Sequence, residues 1–188
     1  RRAAAPEVAS PPLRRACLHA LPDAASVDPV TDAEPTPFRE AVVAMNAAAV
    51  RPEIELGPIR PPQRLAPFSY ALGAEVRRAE VEIVPEGSDG DAFGRLILLH
   101  DPEGAEAWDG TMRLVAYIQA DLDPHEAVDP LLPEVAWSWL VDALADRSEH
   151  VTALGGTVTA TTSVRYGDIS TPPRAHQLEM RASWTATT

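Results

Sequence analysis

Apolar residues alternate with polar ones in several separate segments of this sequence, and only two segments space them as an α-helix does. Alternation of this kind predicts strands with one buried face. The strand segments are residues 54–56, 68–76, 81–83, 93–100, 112–121, 154–166 and 175–185. Among them, 93–100 is apolar on both sides at its centre, and 154–166 is rich in the β-branched residues that strands prefer. No repeating helical crossover separates them, which disfavours a parallel doubly wound sheet. We therefore predict an α+β fold, in which a largely antiparallel sheet of about six strands is covered on one face by two helices.

The two helical segments are bounded by residues that favour helix ends. Thr36-Pro37 supplies the expected N-cap and first helical position of the first helix, and Arg51-Pro52 is its expected end. Asp129 is the expected cap of the second helix, which extends to Arg147. One stripe of the second helix is apolar and predicts its buried side: Pro133, Trp137, Leu140, Val141 and Leu144.

Residues 1–36 differ in composition from the rest of the chain, because six prolines interrupt them and Ala, Ser and Asp fill most of the gaps. Such a segment buries too little apolar surface to offset the entropy lost on ordering. We predict a disordered tail over 1–36 and a single α+β domain over 37–188, a length that can bury a core without disulfides. Cys17, the only cysteine, lies in this tail and is interpreted as an incidental thiol.

The charge balance argues against two classes of partner. All 16 basic residues are arginines and 28 residues are acidic, so the net charge is −12 at pH 7. An acidic surface repels phosphate backbones and anionic membranes, and we expect neither nucleic acid nor membrane as a partner. The sequence also shows no apolar run of membrane-spanning length and no secretory signal, so a cytoplasmic location is expected.

Three residues are candidates for acid–base chemistry. His100 ends a predicted strand, Asp109 follows a predicted turn, and His125 lies in an acidic loop. A small-molecule enzyme would need these groups to converge in one pocket, and a structural role is the alternative interpretation for His100. The sequence shows no nucleophile elbow, phosphate-binding loop, dinucleotide fingerprint or zinc motif, which weighs against catalysis. No cofactor is expected.

The loop before the second helix is rich in oxygen ligands. It contains Asp121, Asp123, Glu126 and Asp129, and carboxylates bind hard cations such as Ca²⁺ or Mg²⁺. The loop lacks the glycine and the terminal glutamate of a calcium-binding loop. Binding of a divalent metal is therefore one hypothesis, and solvated charge combined with helix capping is the other.

A second tryptophan lies on the acidic side of the second helix. Trp139 points about 200° away from Trp137 and shares its side with Val135. Tryptophan is enriched among the residues that anchor protein interfaces, so Trp139 and Val135 are the candidate partner-binding residues. The alternative is that a loop, such as the proline-rich connection at 57–67, covers Trp139.

Several segments resemble a known family. They are residues 37–41, 64–67, 100–104, 106–110, 113–115, 129–140 with its Trp-Ser-Trp motif, and 181–185. Over residues 37–188 the chain resembles the actinobacterial family known as domain of unknown function 3000. The resemblance implies a cytoplasmic protein, but it implies no activity and transfers no catalytic residue.

The leading hypothesis for function is a non-catalytic module that binds a protein partner or associates with itself, through the Trp139 face or an edge strand. The acidic charge, the missing catalytic motifs and the predicted tail favour it. A small-molecule enzyme and a binder of divalent metal are the alternatives.

Overall fold

The computed structural model describes residues 34–76, 92–169 and 174–187. Within them the chain forms two α-helices, α1 (Thr36–Asn46) and α2 (Leu132–Ala145), and six strands. The strands are β1 (Ile54–Pro58), β2 (Phe68–Val76), β3 (Ala92–Ala105), β4 (Gly110–Asp121), β5 (Val151–Val164) and β6 (Arg174–Ala186). Residues 1–33 of the predicted tail, with Cys17, and the predicted strand at 81–83 lie outside the described residues.

The six strands form one sheet in which every neighbouring pair is antiparallel. Their order is β1-β2-β3-β4-β6-β5, so β1 and β5 are the two edges. The last strand in the chain, β6, is inserted between β4 and β5 and forms a ladder with each of them. The predicted α+β fold with an antiparallel sheet and two helices is confirmed.

Both helices cover the same face of the sheet. The strand register aligns Tyr70, Leu98, Leu114 and Trp184 in one row across β2, β3, β4 and β6. Leu98 belongs to the apolar cluster under α1, Trp184 belongs to the cluster under α2, and Leu114 packs against both. Since the residues of one such row share a face of the sheet, both helices lie on that face, as predicted.

α1 begins with a different cap from the predicted one. Pro35 occupies the N-cap position, so Thr36 is already the first helical residue. The hydroxyl of Thr36 accepts a hydrogen bond from Arg39 at 3.1 Å and caps no backbone amide. Phe38 and Val42 form the buried side of the helix.

α1 also ends earlier than predicted, at Asn46 rather than at Arg51-Pro52. Residues 47–50 are exposed, so a longer helix would bury no further apolar surface. The side-chain amide of Asn46 closes the last turn by donating to Val42 O at 2.8 Å. The Tyr70 hydroxyl donates to the Asn46 side-chain oxygen at 2.8 Å, which ties this helix end to β2.

α2 packs on β5 and β6, with Trp137, Leu140 and Leu144 in the cluster around Trp184. The prediction that Val141 belongs to the buried side is wrong, because Val141 is 41% exposed. Ala136 is fully buried in its place. The helix is therefore rotated about its axis relative to the predicted stripe, which brings the Ala136 side towards the sheet.

Trp137 lies directly on the backbone of β5 at Gly156. A methyl group on Gly156 would lie 2.8 Å from the Trp137 ring and 2.9 Å from Ala182 Cα, and it would also meet the carbonyl oxygen of Arg181. At the adjacent Gly155 a methyl group would meet nothing within 4 Å. The missing side chain at position 156 is therefore what lets α2 approach the sheet this closely.

Substitution of Gly156 should destabilise the fold, and Gly155 offers a matched control. We expect Gly156→Ala to lower the free energy of unfolding by about 1–3 kcal/mol through overpacking against the backbone of β6 and against the indole ring. Gly155→Ala should change it by less than about 1 kcal/mol. Urea unfolding followed by tryptophan fluorescence measures both variants. Equal effects of the two substitutions would contradict the close packing of β6 and Trp137 around Gly156.

Candidate functional site

His100, the first acid–base candidate, is buried on β3 with 4% of its surface exposed. The centre of its ring lies 6.0 Å from that of Phe38 on α1 and 6.0 Å from that of Phe68 on β2. Its Nδ1–H donates to Thr111 O at 2.9 Å. Aromatic side chains enclose the imidazole and the fold uses one of its nitrogens, which matches the structural interpretation of this residue.

His125 does not join His100 and Asp109, because His100 pairs with Met112 at the Asp109 end of β4. Asp109 lies in the turn that leads into β4, and His125 lies in the loop that follows β4. The 12 residues of β4 separate the two ends by about 35 Å. The structure therefore does not bring the three candidates of the enzyme hypothesis into one pocket.

The acidic loop at 121–129 uses most of its carboxylates within the protein. Three hydrogen bonds are formed: from Gln177 to Asp121 (3.4 Å), from the Asp123 amide to Glu126 (3.2 Å) and from the Leu131 amide to Asp129 (2.9 Å). Asp129 thereby caps the turn before α2, which begins at Leu132 and not directly after Asp129 as predicted. In the part of the chain that the structure describes, no group of three or more His, Cys, Asp or Glu side chains could hold a metal ion.

The sheet face opposite the helices carries a polar network that sequence reasoning did not identify. Arg113 of β4 donates through Nη1 to Ala153 O at 2.9 Å and to Thr185 Oγ1 at 3.0 Å, and through Nη2 to Ser183 Oγ at 2.7 Å. These bonds connect β4 to β6 and to a bulge near the start of β5. Burial lowers the pKa of the Arg113 guanidinium. The donors of this cation are thus used to hold three strands together.

Tyr117 lies further along the same face, between two charged residues of β6. Its hydroxyl donates to Glu179 Oε2 at 2.8 Å, and the Arg181 guanidinium lies 5.5 Å from the centre of its ring. Arg181 also forms an ion pair with Glu179 at 2.8 Å. The hydrogen bond from Tyr117 is the main cause that lowers the pKa of Glu179, and the same bond, together with burial, raises the pKa of Tyr117.

Removal of the Tyr117 hydroxyl should raise the pKa of Glu179 towards its ordinary value. We expect the Glu179 carboxyl carbon to titrate at higher pH in Tyr117→Phe than in wild type, as measured by ¹³C NMR. A lowered carboxyl pKa stabilises the fold above the unfolded pKa, and this contribution is lost as the pH falls through the folded pKa. The difference in free energy of unfolding between wild type and Tyr117→Phe should therefore shrink on acidification.

Tyr70→Phe is the matched control for this titration, because the Tyr70 hydroxyl bonds to Asn46 and not to Glu179. It should leave the titration of Glu179 unchanged. If Glu179 titrates at the same pH in wild type and in Tyr117→Phe, the hydrogen bond from Tyr117 does not influence the pKa of the Glu179 carboxylate.

A row of exposed apolar side chains leads into α2 and continues along it. Its members are Val128 (75% exposed), Leu131 (61%), Val135 (41%) and Trp139 (59%). Spacings of three or four residues place neighbours on one side of a helix. The Val135 amide donates to Leu131 O at 3.0 Å, so helical geometry already holds at Leu131. Trp139 is thus exposed, and no loop among the described residues covers it.

The outer edge of β5 is a second open feature, on a strand against which α2 packs. β5 is the last strand in the sheet order, and no other described strand pairs with its outer side. Its 14 residues carry no charge, in a chain of which 23% of the residues are charged. Because α2 packs on β5, the exposed row and this edge belong to neighbouring elements. We name residues 128, 131, 135 and 139, together with strand 151–164, the α2–β5 surface.

Comparison with known proteins identifies the family of this chain. Residues 34–188 match the model of a family described as a protein of unknown function, DUF3000. The chain belongs to this family. No significant match was found among curated proteins or among solved structures.

The DUF3000 match covers every helix and strand of the fold and the whole α2–β5 surface. The family description carries no activity, so the function of this DUF3000 protein is inferred from its geometry. Among the described residues, no helix of this DUF3000 protein is long and apolar enough to cross a membrane.

Proposed function

We propose that this DUF3000 protein is a non-catalytic module that binds a protein chain through the α2–β5 surface. The observation that carries the proposal is the exposure of Trp139, which leaves 59% of its surface open to solvent, while Trp137 packs on the sheet. Tryptophan contributes strongly to binding where a partner buries it. Because α2 is packed on the sheet and still exposes the indole ring of Trp139, the structure supports a role for Trp139 in binding a partner.

The neighbours of Trp139 support the same function. Val135 and Leu131 precede it by one and two helical turns, and Val128 lies in the loop before them. Leu131, Val135 and Trp139 follow one another at a spacing of four residues, so they lie on one side of the helix and are not scattered single residues. Contiguous apolar surface of this kind marks interaction sites in monomeric proteins.

Charge favours a protein chain as the partner. The net charge of −12 opposes phosphate groups of nucleic acids and anionic lipids, whereas none of the four side chains of the row is charged. The same proposal places the module in the cytoplasm, where proteins rarely form disulfides, and a chain with a single cysteine fits that compartment.

The geometry gives the enzyme and metal hypotheses less support. His100 is engaged in the apolar core, and Asp109 and His125 lie beyond opposite ends of β4. Three of the four loop carboxylates accept hydrogen bonds from within the protein. No observation in the described residues favours either hypothesis over protein binding.

Truncation of Trp139 should weaken association without unfolding the protein. In native mass spectrometry of gently purified, untagged protein, we expect wild type to carry a second chain in a fixed ratio. Trp139→Ala should raise the dissociation constant of that complex by at least about tenfold, because it removes the largest apolar side chain of the exposed row. Its free energy of unfolding should change by less than about 1 kcal/mol.

Val43→Ala is the matched control, since Val43 is 68% exposed on α1 and lies outside the α2–β5 surface. It should leave the complex intact. The proposal fails if wild type carries no second chain, or if Trp139→Ala and Val43→Ala behave alike. A loss of about 3 kcal/mol or more of stability in Trp139→Ala would place the indole in the core and contradict its contact role.

A further inference from the structure

The two edges of the sheet differ in how well they are protected. β1 has five residues, contains Glu55 and ends at Pro58. β5 has 14 residues and contains neither proline nor a charged side chain. Short length, proline and charge are three of the means by which folded proteins prevent strand pairing at an open edge, and a β-bulge is another. β1 has the first three of these features, and β5 has none of those three.

The regular part of β5 is long enough to accept another strand. A bulge between Thr152 and Gly155 disturbs its first residues, but residues 155–164 are all in register with β6. The backbone groups on the other side of this segment have no described strand to pair with. A row of amides and carbonyls of this length, with which no described strand pairs, is a template for strand addition.

We infer that β5 pairs with β5 of a second copy of this chain, antiparallel about a two-fold axis. The inference rests on the proposed binding function and names its partner. The product is a continuous sheet of twelve strands, six from each copy, whose only remaining edges are the two short β1 strands. A two-fold interface uses the same surface on both copies, so assembly stops at the dimer.

Charge favours β5 as the contact between two copies. Each copy has a net charge of −12, so two copies repel each other wherever charged surfaces approach. Residues 150–164 form the longest stretch of the chain without Asp, Glu or Arg. Pairing β5 with itself therefore brings no like charges opposite each other, and no other described strand has ten successive residues without charge.

The side chains of β5 suit self-pairing on both faces of the sheet. Thr157, Thr159 and Thr161 lie on the polar face and are exposed. Val158 and Ala160 alternate with them and lie on the helix-covered face. An antiparallel pair keeps each face continuous across the axis, and β-branched residues such as Thr and Val pair well across strands.

The same pairing brings the two α2 helices to packing distance. α2 packs on both β5 and β6, and neighbouring strands are about 4.8 Å apart. With α2 above the gap between β5 and β6, the two helix axes are about two strand spacings apart, or about 10 Å, at which helices pack. Trp139 and Val141 are exposed on opposite flanks of α2, so an apolar side chain faces the axis whichever flank is turned towards it.

The first test uses paired variants at two exposed positions of β5. Thr159→Lys combined with Thr161→Lys charges the edge, and Thr159→Ser combined with Thr161→Ser is the uncharged control. We expect sedimentation velocity to show a dimer for wild type and for the serine pair. The lysine pair should raise the dissociation constant by at least about a hundredfold, because like charges opposed across an interface disfavour association. Circular dichroism and thermal unfolding verify that both variants fold.

A distance measurement distinguishes this dimer from any other. Spin labels are attached at Thr161→Cys or at Glu53→Cys, each in a Cys17→Ser background. In the twelve-stranded sheet, the two labels on β5 should lie within about 20 Å of each other. The two labels beside β1 are eleven strand spacings apart, and they should show a separation of up to about 50 Å.

The outcomes separate this inference from the proposed function. The wild-type protein is measured over about a hundredfold range of concentration in which a dimer of ordinary affinity would form. If it stays monomeric throughout, the inference that the partner is a second copy is wrong. A dimer that survives the lysine pair, or whose β5 labels lie far apart, overturns the β5 interface. In either case the binding function stands if Trp139→Ala still weakens a complex. A confirmed β5 distance with no effect of Trp139→Ala supports the strand pairing and contradicts the role of Trp139.

Discussion

The packing of Trp137 on the backbone of β5 is the contact on which the rest of the structure depends. A methyl group on Gly156 would stand 2.8 Å from the indole ring, so only glycine leaves room for it. The contact holds α2 over β5 and β6. With Trp137 turned towards the sheet, helical geometry turns Trp139 about 200° away from it. The exposure of Trp139 is thus a consequence of how its neighbour packs.

Polar groups on one face of the sheet and inside it have partners, whereas those along one long edge have none among the described strands. The helices bury the apolar face, while on the opposite face Arg113 and Tyr117 find hydrogen-bond acceptors on β6. Backbone groups inside the sheet are paired by their neighbouring strands, and β1 is short and carries Pro58. The outer side of β5 is the long edge for which the described residues supply neither a partner strand nor a protective charge. Association at this edge satisfies the backbone groups that the single copy leaves open.

Local sequence patterns predict a large part of this fold, but they do not predict features that depend on the pairing of residues far apart in the chain. Alternation predicts the strands at 68–76 and 112–121, and the helical stripe predicts that Trp137 packs on the core, because both patterns depend on neighbours along the chain. Strand order does not follow from periodicity, since the insertion of β6 between β4 and β5 joins residues far apart in sequence. The Arg113 network could not be predicted from the sequence for the same reason. Alternation identifies a polar face of the sheet, but it does not show which hydroxyl groups lie beside the guanidinium. A helical wheel is enough to predict that Trp139 is exposed. The edge position of β5, in contrast, is known only once the order of the strands in the sheet is known.

Hydrogen exchange along β5 tests most directly the claim that another strand occupies this edge. At a free edge, every second backbone amide points to solvent and exchanges fast, as the amides of β1 should. In the paired state, all the amides of residues 155–164 lie in a ladder and are predicted to exchange slowly. Charging the edge with Thr159→Lys and Thr161→Lys should restore fast exchange at alternate positions. Fast exchange of every second β5 amide in wild type, at rates equal to those of β1, would contradict the account.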